Sequence, residues 1–281
     1  MALGPFDLHG PEFLQLYGIL LAAAGIAALV IPHWLRPEGS APRVTDPDLL
    51  GYLAGGSTRF VETVIVRMLT RGQVAVEGKR KLRILTPAGR HGQAGSSMVE
   101  HAVLALASPA PWGSVALAVG RHRAKIETQL IAHGLWMDGE AVRRLRWLQT
   151  LPLLLVFAFG AIKWEIGTLR DRPVGYLSAL LVVTIVLALI RFATADRRTR
   201  GGLAALTAAR SAADRLRRAP TSDEMALSVA LFGTAVLMGS EHGDFHALRI
   251  AAASGDASSS DGGSSDSGGG CGGGGCGGCG G

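Results

Sequence analysis

No cysteine occurs before Cys271, so no disulfide framework braces the body of this chain. Lys and Arg are missing before Arg36 and again from Ile250 onward. The first absence removes the positive n-region of a cleaved signal peptide, so the apolar run that follows is predicted to remain as a helix. No nucleophile–base pair, HExxH, P-loop or GxGxxG stands out, and no catalytic residue is assigned; the chain is read as non-enzymatic. Its apolar runs carry no Asp, Glu, Lys or Arg at mid-depth, which argues against an ion or proton path.

What is present is hydrophobic and blocked. Of 281 residues 48% are hydrophobic and only 18% charged, with a mean hydropathy of +0.29. A soluble domain is rarely so apolar. Residues 14–31 form an uncharged run holding nine Leu, Ile or Val. At about 1.5 Å per residue it is long enough for hydrocarbon roughly 30 Å thick. Residues 148–162 are bracketed by Trp147 and Trp164, an indole-to-indole helical span of about 26 Å. Pro152 is expected in the first turn or two of that helix. Residues 174–190 are the clearest span, rich in Leu and Val. The fold class predicted is therefore a mainly α membrane protein with about three transmembrane helices.

Arginine orients the set. Arg36 and Arg43 follow the first run, Arg143, Arg144 and Arg146 precede the second, and Arg191, Arg197, Arg198 and Arg200 follow the third. The opposite side has Lys163, Arg170 and Arg172. By the positive-inside rule the amino terminus is outside, and the segment between the first two runs is cytoplasmic, as is the carboxy-terminal region. The location expected is a membrane, with membrane lipid as a partner.

Five segments result: residues 1–34 with the first span, a cytoplasmic region at 42–140, a helical hairpin at 147–192, a helical region at 197–250, and a tail at 254–281. In the second segment Asp46 caps a helix with Pro47 at its first position. Gly55-Gly56 ends it, and Ser57 or Thr58 starts another with an apolar stripe at Val61, Val64, Ile65, Met68 and Leu69. Arg59, Glu62, Thr63, Val66 and Arg67 are predicted to be its exposed face. Gly72 is placed to stop the helix in a left-handed turn. Alternating Val74, Val76 and Leu82, Ile84 then make a β-hairpin with Lys79, Arg80, Lys81 and Arg83 at its tip.

Helix, glycine turn, helix and hairpin is the order of a small α+β winged-helix-like domain. A capping box at Ser97 and Glu100 begins a second, related unit. It includes a helix around 121–133 with Ile126, Leu130 and Ile131 inward, so a tandem domain of two such steps is the alternative to a single one. The basic hairpin residues are candidates for contact with nucleic acid or anionic lipid. The exposed face of the second helix lacks Asn and Gln, which weighs against base reading.

Residues 196–220 read as a basic amphipathic helix, on the inner membrane face or solvated. Residues 225–238 are apolar but too short for a full crossing, and are read as a buried or interfacial helix, with a fourth span as the alternative. His242 and His246 have metal-like spacing, but Gly243 argues for a loop. From Ser254 the chain is Gly, Ser, Asp and Cys, with nothing apolar to offset the entropy of ordering. No cofactor is assigned. Cys271, Cys276 and Cys279 fit three ligands of a four-cysteine cluster, and could instead hold a soft metal ion.

"DPDLLGYLAGGSTRFVETVIVRMLTRGQVAVEG", "DRPVGYLSALLVV" with "DRRTRGG", "ALFGTAVLM" and "GGGCGGGGCGGCGG" together resemble an uncharacterised family of bacterial multi-pass membrane proteins. The resemblance covers most of the chain from Asp46. It implies a bacterial inner-membrane location, a winged-helix-like cytoplasmic region, a helical hairpin and a Cys/Gly-rich end, and brings no established activity or cofactor. The function expected is a membrane-anchored scaffold or assembly protein that binds a protein partner in the cytoplasm. A membrane-tethered DNA-binding regulator and a metal or thiol-redox protein are the alternatives.

Overall fold

A computed structural model of the chain describes residues 10–40, 42–78, 80–85, 97–169, 175–218 and 220–256. It is mostly helical, with one small antiparallel sheet. The described chain divides into two compact units. One comprises residues up to Glu38 together with Met137–Arg197; the other comprises Gly39–Trp136 and the chain from Arg198.

The first unit is a bundle of three helices: α1 (Gly10–Leu35), α6 (Gly139–Leu169) and α7 (Gly175–Ala193). All three are long and apolar enough to cross a membrane. Phe13, Tyr17, Ala24 and Ala28 lie along one face of α1 and pack with Leu153, Val156, Leu177 and Ala188. Gly160 lets Tyr17 approach α6, because a Cβ there would lie 2.5 Å from the tyrosine ring. The Tyr17 hydroxyl meets Thr184 Oγ1 at 2.9 Å, and Thr184 in turn donates to the Leu180 carbonyl. A polar contact of this kind suits an apolar bundle, where an unpaired hydroxyl is costly.

The outer surface of this bundle inverts the usual distribution. Ile19, Leu155 and Val182 are each more than 60% exposed. A continuous apolar surface of this kind is stable against hydrocarbon and not against water.

Two prolines interrupt the backbone ladders. Pro32 lies inside α1 and withholds the N–H that would reach the Ala28 carbonyl. Arg191 of α7 donates to that same carbonyl. Pro152 is deep inside α6, not in its first turns as the sequence suggested: the helix begins at Gly139, well before the apolar run, because Asp138 caps it and Val142 and Leu145 pack with Met137.

The second unit contains α2 (Pro47–Thr70), β1 (Val74–Glu77), β2 (Lys81–Ile84), α3 (Met98–Leu104), β3 (Ala110–Pro111), α4 (Trp112–Gly120), α5 (Arg123–Ala132), α8 (Arg200–Ala212), α9 (Met225–Phe232) and α10 (Gly243–Asp256). Asp46 caps α2 through Asp48 N. At Gly55 and Gly56 the backbone leaves helical geometry, Gly56 with φ +64°. The halves of α2 then fold back on each other. Asp48 pairs with Arg67, Gly51 sits against Thr63, and Gly55 sits against Arg59, nested pairs around one turn. Gly72 terminates the second half with φ +67°.

The hairpin has the register Val74↔Ile84 to Glu77↔Lys81, and β3 joins on the far side of β2. Val74 and Leu82 point into the core. Ser97 and Glu100 form the expected capping box on α3. In α5 Ile126 and Leu130 are buried, but Ile131 is exposed, so the inward stripe is narrower than predicted.

Residues 225–238 do not form one helix. α9 ends at Gly233 (φ +98°) and a short 3-10 turn follows. α9 is buried against α2, which matches the buried reading of this segment. α8 turns Ala205 and Leu206 into the same core rather than leaving an apolar face open.

Three passages of the chain are knitted together in this unit by small residues. Ser40 N and Thr199 Oγ1 both donate to the Gly134 carbonyl, and Thr199 N donates to Leu135 O. A Cβ at Gly201 would lie 2.2 Å from Ser40 O, and one at Gly202 would lie 2.2 Å from Leu135 O. The "TRGG" stretch is thus a backbone-to-backbone packing site: Thr199 caps α8 through Gly202 N, and the two glycines admit the neighbouring strands of chain.

Candidate functional site

The second half of α2 is the element a winged-helix reading would use for recognition. Its predicted exposed face is a correction. Glu62, Thr63 and Val66 are buried, while Arg59 and Arg67 are half-buried. α10 brings Arg249 Nε to 2.8 Å from Glu62 Oε1, the folded-back first half of α2 sets Gly51 against Thr63, and α9 packs on the same helix, where Arg59 reaches Val229 O. Arg249 also lies over the Trp112 ring at 4.4 Å, and Trp112 meets Phe245 edge-on. Val66 was the available signal: with Phe60, Val61, Val64, Ile65 and Met68 it makes the helix apolar around most of its circumference, the mark of a buried helix.

The charges of that helix are used internally. Arg67 holds Asp48 with both terminal nitrogens, at 2.8 and 3.0 Å, and reaches Glu100 with Nε at 2.6 Å. Arg71 binds the same Glu100 from 3.0 Å. Burial pushes the Asp48 carboxyl above its ordinary value, and the Arg67 hydrogen bond and charge only partly reverse this. Burial also acts to lower Arg67, but Asp48 and Glu100 outweigh it, so its guanidinium is held charged above the usual arginine value. No sequence spacing announces this network, because its members stand on two halves of a folded-back helix and on α3.

A second group gathers Arg59, Arg198 and Arg210. Arg59 donates to Val229 O at 3.1 Å, Arg210 to Leu231 O at 3.1 Å, and Arg198 to Ala54 O at 2.8 Å. These carbonyls end α9 and the first half of α2, where cations stabilise the negative end of the helix dipole. Burial, then the charges of Arg198 and Arg59, lower the Arg210 guanidinium below its ordinary value.

The basic hairpin is divided. Lys79 lies outside the described residues. Arg80 donates to the Ala251 carbonyl of α10 at 2.9 Å, Arg83 stands 3.8 Å from Glu77, and Lys81 is exposed opposite Glu77. The tip is therefore a modest cationic surface tied at Arg80 to α10. Cys271, Cys276 and Cys279 also lie outside the described residues. His246 is on α10 rather than in a loop, with Nδ1 3.0 Å from Thr234 Oγ1, and His242 precedes the helix. Among the described residues no three His, Cys, Asp or Glu are grouped to hold a metal ion.

In the first unit charged and aromatic side chains gather at the two ends of the bundle. Arg36 pairs with Asp196 at 3.3 Å, Arg146 lies 5.8 Å from the Phe192 ring centre, and Trp147 meets Phe192 at 5.9 Å. At the other end Lys163 stands over Phe13, and Trp164 donates to Ser178 Oγ at 3.0 Å. Indoles thus mark both ends of α6's apolar stretch, and arginine gathers at one of them. No family model, curated protein or solved structure matches this chain.

Proposed function

We propose that this chain is an integral protein of a bacterial inner membrane that presents its second unit to a protein partner in the cytoplasm, as a non-enzymatic scaffold or assembly factor. The observation that carries the reading is the occupied recognition face. The helix that would have to enter a DNA groove has Glu62, Thr63 and Val66 buried, Glu62 under Arg249 of α10 and Thr63 against Gly51 of the folded-back first half of α2. A helix so covered offers no base-reading side chains, which favours a protein scaffold over a DNA reader. The winged-helix likeness belongs to the order of elements, with α9 and α10 as additions that close the usual reading surface.

The orientation follows from arginine. The chain enters and leaves the second unit next to Arg36, Arg143, Arg144 and Arg197, so the positive-inside rule puts that unit on the cytoplasmic side and the amino terminus outside. The DNA-tethering alternative rests on the exposed Lys81 and Arg83. The metal or thiol alternative rests on Cys271, Cys276 and Cys279.

A photo-crosslinking residue placed at Lys81 or Arg83 of the full-length chain in cells tests the three. The scaffold reading predicts a discrete protein adduct and no salt-dependent duplex binding by the purified chain. Duplex binding that falls steeply with salt would replace it with the DNA reading. Stoichiometric Zn(II) or Cu(I) on the three thiols of the purified protein would favour the third.

A further inference from the structure

The start of α6 carries a feature that membrane orientation alone does not require. Glu140, Arg143, Arg144, Trp147 and Leu148 line one open cavity of about 450 Å3. Their spacing of three and four residues sets them on one helical face. Arg143 and Arg144 are exposed, and among the described residues neither has an ion pair or hydrogen bond. This contrasts with Arg36, Arg146 and Arg191 at the same end of the bundle, which are engaged with Asp196, Phe192 and Ala28.

Trp147 is 57% exposed, yet its ring is set against Phe192. An indole so placed sits at headgroup level. Arg143 is four residues toward the polar side, about 6 Å along the axis, which is the depth of the lipid phosphates. Two adjacent guanidiniums suit a phosphate, since each offers a planar pair of N–H donors. Glu140 lies a further turn out and leaves the face with a net positive charge.

We propose that Arg143, Arg144 and Trp147 form a headgroup subsite for an anionic phospholipid. The subsite rests on the membrane reading of this unit, and uses guanidiniums that the fold itself does not employ. Leu148 and the exposed Leu151 continue the same side of α6 into the apolar stretch, where the acyl chains would run.

The experiment is native mass spectrometry of the full-length protein released from detergent with phosphatidylglycerol or phosphatidylcholine. The expected result is preferential retention of phosphatidylglycerol, falling about tenfold in R143Q/R144Q and unchanged in K163Q at the opposite end. R143K/R144K keeps charge without the forked donors and should fall between. Equal retention of the two lipids, or an unchanged preference in R143Q/R144Q with the melting profile of the parent, would overturn the subsite. Displacement of phosphatidylglycerol by millimolar inorganic phosphate would overturn its assignment to lipid. Failure of the membrane reading is separable: the parent chain would then stay in solution without detergent.

Discussion

The two units of this chain turn opposite surfaces outward. In the second, Leu53, Phe60, Ile65 and Val229 are sealed inside while Arg71, Lys81 and Arg83 are exposed. In the first, the sealed positions include Tyr17, Thr184 and Gln149, while Ile19, Leu155 and Val182 face outward. Gln149 Nε2 donates to the Arg191 carbonyl, so even its largest buried amide serves the backbone. The same physical rule gives both patterns. Apolar surface is hidden from water in one unit by the core; in the other it lies on the outside of three helices long and apolar enough to cross a membrane.

The largest effect that would sharpen this contrast is a matched truncation. Leu53→Ala in the second unit leaves a cavity in a closed core and should cost about 2–5 kcal/mol. Leu155→Ala removes a side chain that faces hydrocarbon and should cost less than 1 kcal/mol in lipid, since the tails fill the space. Thermal unfolding of the full-length chain in nanodiscs, followed by a probe in each unit, measures both. Equal costs would erase the distinction between the two kinds of burial.

Next comes Glu100, whose carboxylate serves Arg67 and Arg71 and is almost wholly buried. Glu100→Ala takes the carboxylate from Arg71, leaves Arg67 with Asp48 alone, and should destabilise the second unit by about 3 kcal/mol. Its signature is a transition lowered in that unit alone.

Arg191 offers a more selective test. Arg191→Leu leaves the Ala28 carbonyl without a donor and should cost the first unit about 1–3 kcal/mol. Pro32→Ala restores a backbone N–H to that carbonyl, so the double variant R191L/P32A should recover most of the loss. Additive losses would show that Arg191 acts elsewhere.

The smallest effect is on pH. The Asp48 carboxyl in the folded protein holds its proton above the ordinary value of 3.8. Between that value and the raised one, the folded state binds more protons than the unfolded, so stability falls as pH rises through the window. Asp48→Asn should remove this slope and leave the second unit's melting temperature flatter above pH 3.8. An unchanged slope would assign it to another carboxylate.

Much of the architecture was legible because its signals are local. Three apolar runs, Asp46 before Pro47, the Gly55-Gly56 break, the left-handed Gly72 and the Ser97–Glu100 box each state their own structure. What was not legible depends on which distant segment covers a surface. Glu62 and Thr63 look exposed until α10 and the folded-back first half of α2 are laid on them, and nothing near residue 62 in the sequence points to Arg249. The start of α6 was misjudged for a related reason: composition marks where a helix enters lipid, not where it begins in water, so Pro152 seemed terminal. "TRGG" was visible as a motif, but its role in admitting Ser40 and Leu135 needed three passages of chain to be brought together.

The central claim is that the outward face of α1, α6 and α7 meets hydrocarbon. Single cysteines at Val182, mid-way along α7, and at Lys81, in a chain whose Cys271, Cys276 and Cys279 are replaced by serine, test it in intact cells and in opened membranes. Position 182 should resist a water-soluble maleimide in both, and position 81 should react only once the membrane is opened. Ready labelling of position 182 in the folded protein, without detergent, would contradict the account.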